Sequence, residues 1–298
     1  MKLFVYLKVM MHPLNLVWKL FLAAGGAIAL AAPTQAIEVT VQPTTVRLGD
    51  TISVVVTPDP GERLSKAPTV KVEDKTFPVF QLSPNRWRAL VPTTPLERHG
   101  RRRLTVTGNQ QTRNLLVWVG DRAFPTQSIW LPPGKDDEGS DYEFDQADAF
   151  KALVTPQKFW NGRLLRPNNG PLSTGYGVRR YYNGVFANDY YHRGLDYASG
   201  TGSPVMAMAA GRVALLGLES QGFKIHGNVV GVDHGQGVAS IYLHLSRIDV
   251  KKGQMVRAGQ VIGAVGSTGA TTGPHLHMGL YVNGQAVDPA PWFNRTFE

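Results

Sequence analysis

Five side chains in the C-terminal third hold the chemistry available to this chain. They are His192 and Asp196 in His192-Arg-Gly-Leu-Asp196, His244 in Tyr242-Leu-His244, and both histidines of His275-Leu-His277. Two imidazoles and a carboxylate make a zinc-ligand set, and a catalytic zinc keeps three protein ligands with the fourth position open to water or substrate. The candidate donors exceed three, so some of these histidines remain for acid or base work beside the metal. The chain has no cysteine, which excludes thiolate zinc sites, cysteine nucleophiles and disulfides. No His-Glu-x-x-His run occurs, which excludes a zinc protease carried on one helix. The pattern points to a metal-dependent hydrolase.

Strands must bring these residues together. Side chains two apart on a strand project from one face, so His275 and His277 share a face, as do Tyr242 and His244. Neighbouring strands would converge all three histidines on one point. Gly194, inside the His192-to-Asp196 spacing, argues for an extended loop rather than a helical pair, and Gly273-Pro274 constrains the entry to the last pair. Apolar runs at 205–209, 211–216, 228–233, 238–244 and 276–282 are separated by glycine-marked turns. Residues 166–298 are therefore expected to form a mostly antiparallel β domain, with no helix of ordinary length and its site in a groove between loops. Val250 to Gly263 reads as a structural β-hairpin.

Upstream, residues 37–120 alternate apolar and polar residues in short runs such as Ile37 to Val41 and Asn114 to Val119, with turn chemistry between them. This predicts a mainly β chain that begins with an immunoglobulin-like β-sandwich. Arg98, Arg101, Arg102 and Arg103 read as a solvated turn. Residues 121–165 read as a linker in which Phe144, Ala147, Phe150, Lys151 and Val154 share the face of a short helix ending before Pro156. The seven acids between Asp136 and Asp148 read as solvated charge. Residues 1–36 have the form of a signal peptide: Lys2, Lys8 and Lys19, an apolar run from Leu20 to Ala32, and small residues before a cut after Ala36. The chain is therefore expected in the periplasm or cell envelope, with a membrane anchor only if the segment stays uncleaved. Those three lysines account for part of the net charge of +9. Export and the lack of a recognition motif argue against a nucleic-acid partner. Nothing in the sequence assigns an oligomeric state.

From about Gly175 to Pro291 the chain resembles the lysostaphin/LytM-type zinc endopeptidases of bacterial cell walls. The matching stretches include Tyr176-Gly-Val-Arg179, His192-Arg-Gly-Leu-Asp196, Gly202-Ser-Pro-Val205, Tyr242-Leu-His-Leu245, Ala258-Gly-Gln-Val-Ile-Gly263, Gly266-Ser-Thr-Gly269 and Pro274-His-Leu-His277. The resemblance implies the family's duplicated hybrid motif fold, one Zn2+ per catalytic domain, and hydrolysis of peptide bonds in peptidoglycan stems or cross-links. Position by position, it implies that His192, Asp196 and His277 bind the metal. It likewise implies that His244 and His275 are the two catalytic, non-ligand histidines, with their roles undivided. The alternative is a non-catalytic envelope protein that activates cell-wall amidases. His226 and His234 fall outside the matched positions and are expected to be surface or hydrogen-bonded loop residues. One of Tyr181, Tyr182, Tyr190 and Tyr191 would suit a hydrogen bond to the reacting group.

Overall fold

Alternation of β-branched and polar residues builds the N-terminal part of this computed structural model, which describes residues 37–132 and 139–297. The predicted leader, 1–36, lies outside the described residues. Strands Ile37–Gln42, Thr51–Pro58, Arg86–Pro92 and Val79–Ser83 pair antiparallel in that order. A second sheet runs Val46–Arg47, Gln111–Gly120, Gly100–Gly108, Thr69–Val72 and Lys75–Phe77, its first pair parallel. Val54, Val56, Ala89 and Val91 from the first sheet share one buried core with Val70, Leu104, Val106 and Val119 from the second. Arg101, Arg102 and Arg103 lie in the Gly100–Gly108 strand and not in a turn. The alternation that buries Leu104 and Val106 leaves Arg101 and Arg103 facing outward.

The segment after residue 120 contributes two elements that matter for the site. Strand Thr126–Ile129 pairs parallel with Arg179–Tyr182, which in turn pairs with Val185–Phe186. Helix α1, Asp141–Lys151, starts at a capping box in which Ser140 and Glu143 satisfy each other's backbone N–H. Its buried stripe is Glu143, Ala147, Phe150 and Lys151. Phe144 and Val154, expected on that stripe, are each 43% exposed. Phe144 lies one residue round from the stripe, and Val154 lies beyond the helix end. The acidic run is likewise not all solvated, because Glu143 is fully buried.

Glycine-separated strands then form the large C-terminal sheet, ordered Leu172–Thr174, Leu195–Ala198, His275–Val282, Val238–Leu243, Val229–Gly235, Gly211–Gly217 and Met255–Val256. Gln285–Val287 adds to His275–Val282. Pro204–Met206, Val261–Val265 and Leu245–Ile248 make a smaller antiparallel sheet. The hairpin expected from Val250 to Gly263 does not form. Met255–Val256 joins the large sheet and Val261–Val265 the smaller one, the chain crossing at a turn where Gln260 N–H donates to the Arg257 carbonyl.

Both sets of sheets belong to one compact unit. Leu90 of the first sheet sits in the C-terminal core, and Asn283 Nδ2 donates to its carbonyl at 2.7 Å. Buried Arg88 donates to the Phe297 carbonyl and to Gln236 Oε1, and Arg122 pairs with Asp288 at 2.7 Å. The mainly β class is as the sequence predicts. No helix among the described residues is long and apolar enough to cross a membrane.

Candidate metal centre

The register between two strands creates the centre. Leu195–Ala198 pairs antiparallel with His275–Val282 so that Asp196 stands opposite His277 and Ala198 opposite His275. Directly opposed residues project from one face. Asp196, His277 and, two residues along, His275 therefore share a face, while Leu195, Tyr197, Leu276 and Met278 enter the core. His192 precedes the strand, held by its N–H to the Val178 carbonyl at 2.8 Å and its own carbonyl to Gly177 N–H at 2.9 Å. Gly194 allows this approach: a Cβ there would lie 2.2 Å from the Met278 carbonyl oxygen and 3.0 Å from His277 Nε2. The extended reading of His192 to Asp196 therefore holds, for a steric reason.

Three different atoms converge. His192 Nε2 lies 2.9 Å from Asp196 Oδ1 and 2.9 Å from His277 Nδ1, and His277 Nδ1 lies 2.8 Å from the same Oδ1. All three residues are buried. A carbonyl only accepts, so His192 Nδ1–H donates to Gly175 O at 2.7 Å, which leaves Nε2 as the ring atom available to a metal. Burial pushes the Asp196 carboxyl up, but the His192 and His277 rings overcome it and hold the group well below the usual carboxylate range. Burial pushes His277 down to about 4. Two imidazole nitrogens and a carboxylate oxygen, closed on one another in a buried site, are the donor set that a divalent cation such as zinc takes in place of the protons between them. The residues fit the metal.

His244 arrives by a route that strand periodicity does not give. Leu243 stands opposite His277 and Tyr242 opposite Met278, so unbroken alternation would send His244 to the Met278 side, away from the centre. Tyr242 does point there, its hydroxyl accepting the Met208 N–H in the core. His244 is instead left-handed, with φ of 62°, and this breaks the alternation. Its ring comes to 4.9 Å from that of His275 and 6.3 Å from that of His277. Backbone contacts hold it there: His244 N–H donates to His226 O at 3.1 Å, and Nδ1–H donates to Thr268 O at 2.9 Å. His275 Nδ1–H likewise donates to Gly273 O at 2.9 Å, and its Nε2 lies 4.0 Å from Asp196 Oδ1. Both rings thus commit Nδ1–H to a carbonyl, leaving Nε2 as the atom that can exchange a proton. Burial first, then the neighbouring His275 and His277 rings, push His244 well below its ordinary range.

A groove of about 390 Å³ runs past Asp196, His275 and His277. One wall is the Thr126–Ile129 and Arg179–Tyr182 pair, contributing Gln127, Ile129, Arg180 and Tyr182. Sequence reading did not single out Arg180. Its Nη2 donates to Asp196 Oδ2 at 3.2 Å and its Nη1 to the Tyr182 hydroxyl at 3.2 Å, so the oxygen turned away from the two histidines is also occupied. Of the four expected tyrosines, Tyr182 lines this groove. Tyr181 packs on Phe186 with ring centroids 4.9 Å apart, Tyr190 packs on Tyr182, and buried Tyr191 donates to Ala286 O. His234 is a buried strand residue, donating through Nδ1 to Ala210 O and pushed down to about 4 by burial. A larger cavity of 580 Å³, lined in part by Gln42, Arg163 and Arg295, holds none of the five side chains.

The chain is similar to known proteins. The model of Peptidase family M23 matches residues 190–289. The crystal structure of a candidate peptidase M23 from Pseudomonas aeruginosa is 30% identical, with a TM-score of 0.62, and covers 84% of this chain and 95% of its own. This chain belongs to peptidase family M23. The DD-carboxypeptidase/endopeptidase Mpg of Neisseria meningitidis serogroup B is 46% identical over 138 residues, which are 43% of this chain and 30% of Mpg. Lysostaphin of Staphylococcus simulans is 39% identical over 123 residues, 40% of this chain and 24% of lysostaphin. The chain thus spans about a third or less of the length of these curated relatives. The M23 segment contains all five histidine and aspartate positions, whereas α1, the Thr126–Ile129 strand and Arg180 lie outside it.

Proposed function

We propose that this protein is an exported zinc metalloendopeptidase that hydrolyses peptide bonds in peptidoglycan stems or cross-links. In this reading 1–36 is a cleaved leader, 37–120 an accessory β-sandwich, 121–165 a connector and 166–298 the catalytic domain. The observation that carries the chemistry is the closure of His192 Nε2, Asp196 Oδ1 and His277 Nδ1 to within 2.9 Å of one another, with two further imidazoles beside them, the His244 ring 4.9 Å from that of His275 and 6.3 Å from that of His277. The resemblance to the lysostaphin/LytM-type endopeptidases supports a cell-wall peptide as the substrate, and the similarity to the DD-carboxypeptidase/endopeptidase Mpg supports cleavage of a peptide bond.

His192, Asp196 and His277 are assigned as the zinc ligands. The chemistry that zinc supplies when bound there is polarisation of the scissile carbonyl and acidification of a water towards a pKa of ~7. His244 and His275 handle the proton. Each has Nδ1–H committed to a carbonyl, so Nε2 is the atom through which it takes up or gives a proton. The ring that takes the proton of the attacking water then becomes the donor that returns it to the departing amine. Water adds to the carbonyl carbon, the C–N bond breaks, and a carboxylate and an amine result. Arg180 orients Asp196 by holding Oδ2.

The test is mass spectrometry of muropeptides released from purified sacculi by the protein lacking residues 1–36, alongside its zinc content. Release of peptide-cleaved products by the zinc-loaded protein, lost in His192→Ala and Asp196→Ala together with the metal, is the expected result. Intact sacculi combined with stimulation of an amidase would replace this reading with the activator role.

A further inference from the structure

Glu143 is a carboxylate with no exposure at all, on a helix outside the M23 segment. Besides closing the capping box of α1, it reaches across to the turn before strand Val229–Gly235. Its Oε1 accepts the Ser140 N–H at 3.0 Å and the Ile225 N–H at 3.1 Å. Its Oε2 accepts the His226 N–H at 3.1 Å and the His226 ring Nδ1–H at 2.8 Å. Ser140 Oγ adds a bond to the Gly222 carbonyl at 2.7 Å. Phe144 and Phe223 pack edge-on against the His226 ring.

That turn touches the reacting centre through the main chain. The His226 carbonyl accepts the N–H of His244, the residue held in the left-handed conformation. One residue on, Gly227 packs so closely on the 268 peptide that a Cβ there would lie 2.4 Å from Thr268 O, the atom that holds His244 Nδ1. Asn228 N–H donates to Thr268 Oγ1 at 2.9 Å, and Ala270 N–H donates to Ile225 O at 3.1 Å. Both acceptors of His244, His226 O and Thr268 O, thus belong to one bonded assembly, and a single buried carboxylate on α1 binds that assembly's 225–226 peptide by three N–H groups. A left-handed non-glycine residue persists only where its surroundings over-determine it.

We infer that Glu143 is a positioning residue for His244, acting through the 225–226 turn and the His226 carbonyl. The connector helix then anchors, through Glu143, the turn that holds His244 and is not only a spacer. The inference rests on the proposed role of His244 in hydrolysis. Glutamine at 143 keeps the shape and one acceptor oxygen but turns an NH2 towards a cluster made entirely of donors, so the turn must shift or lose bonds.

The experiment compares Glu143→Gln with Ala147→Gly, which weakens the same helix without touching the turn, both at temperatures where each variant is fully folded. For Glu143→Gln we expect kcat on a soluble cross-linked muropeptide to fall ~10-fold or more, since small misplacements of a reacting group cost rate steeply. KM and zinc content stay at wild-type values, and the His244 imidazole Nδ1–H resonance shifts or loses exchange protection. Ala147→Gly retains wild-type kcat and the wild-type resonance. Unchanged kcat in Glu143→Gln, an equal loss in Ala147→Gly, or an unmoved His244 resonance would each overturn the inference. Should the wild-type protein cleave no muropeptide, the hydrolase reading fails by itself, and the resonance comparison still decides whether Glu143 positions His244.

Discussion

Replacing His244 by glycine and by alanine separates its backbone from its ring. Both substitutions delete the imidazole and its bond to Thr268 O, so the difference between them isolates the left-handed conformation at φ of 62°. A residue with a Cβ pays about 1–2 kcal/mol for that conformation, and glycine essentially none. His244→Gly should therefore be more stable than His244→Ala by about 1 kcal/mol, or about 2–4 °C in Tm for a chain of this size. This reverses the order found in helices and extended strands. Both variants should lose turnover ~10²-fold or more, the scale for removing a general acid or base, equivalent to about 2.7 kcal/mol of transition-state stabilisation. Both should keep their zinc, because His244 is not one of the three converging atoms. Thermal unfolding, metal analysis and muropeptide release measure the three quantities. Glycine less stable than alanine would refute the backbone argument. Loss of zinc in either variant would move His244 into the ligand set, and unchanged turnover would remove it from the reaction.

Asp196→Asn keeps the shape of the ligand but not its charge; equilibrium dialysis should show zinc affinity falling by ~10²-fold or more, at the upper end of losses seen at metal sites or beyond, with turnover lost alongside. Gly194→Ala places a methyl against the Met278 carbonyl and should cost about 1–3 kcal/mol in denaturant unfolding while weakening metal retention, because the clash sits between His192 and His277. Burial pushes Glu143 up, but the His226 ring and the 225–226 N–H groups outweigh it and bring the carboxyl down to about 2 from an ordinary 4.5. Because the folded value is the lower one, Glu143 stabilises the fold fully above pH ~4.5, and that contribution is lost as pH falls towards 2. The gap in urea stability between wild type and Glu143→Gln should shrink through that window, and a constant gap would refute the assignment. His234, lowered to about 4 by burial, adds a loss of stability in the same direction as pH falls from 6.5; His234→Gln should flatten that part of the acid profile.

Much of the site was legible in the residues because period-two geometry is local. His275 and His277 must share a face of any strand that contains them, and Gly194 signals an extended approach whatever packs around it. The strands that alternate cleanly, such as Ile37–Gln42 and Gln111–Gly120, were legible for the same reason. The chemistry of the donor set follows from residue type alone: without cysteine, only His, Asp and Glu can hold a zinc.

Other features depend on which chain segments meet, and periodicity carries no such information. The pairing of Asp196 with His277 is a register between strands some eighty residues apart. Alternation would have turned His244 away, and the contacts from His226 and Thr268 hold the left-handed residue that returns it to the centre. The carbonyls of Gly175, Thr268 and Gly273 choose which nitrogen of each ring is left available, and no side-chain pattern announces a carbonyl. Glu143 reads as one of an ordinary acidic run and Arg180 carries no signal of its own, yet Arg180 reaches Asp196 from a strand paired with Thr126–Ile129, and Glu143 reaches the 225–226 turn from the connector helix. Sequence determined what chemistry was present, since that is a property of residue types and of neighbours along the chain. Tertiary structure decided the tautomers, the orientation of His244 and the outer partners, because these are set by backbone groups that only folding brings within hydrogen-bond reach.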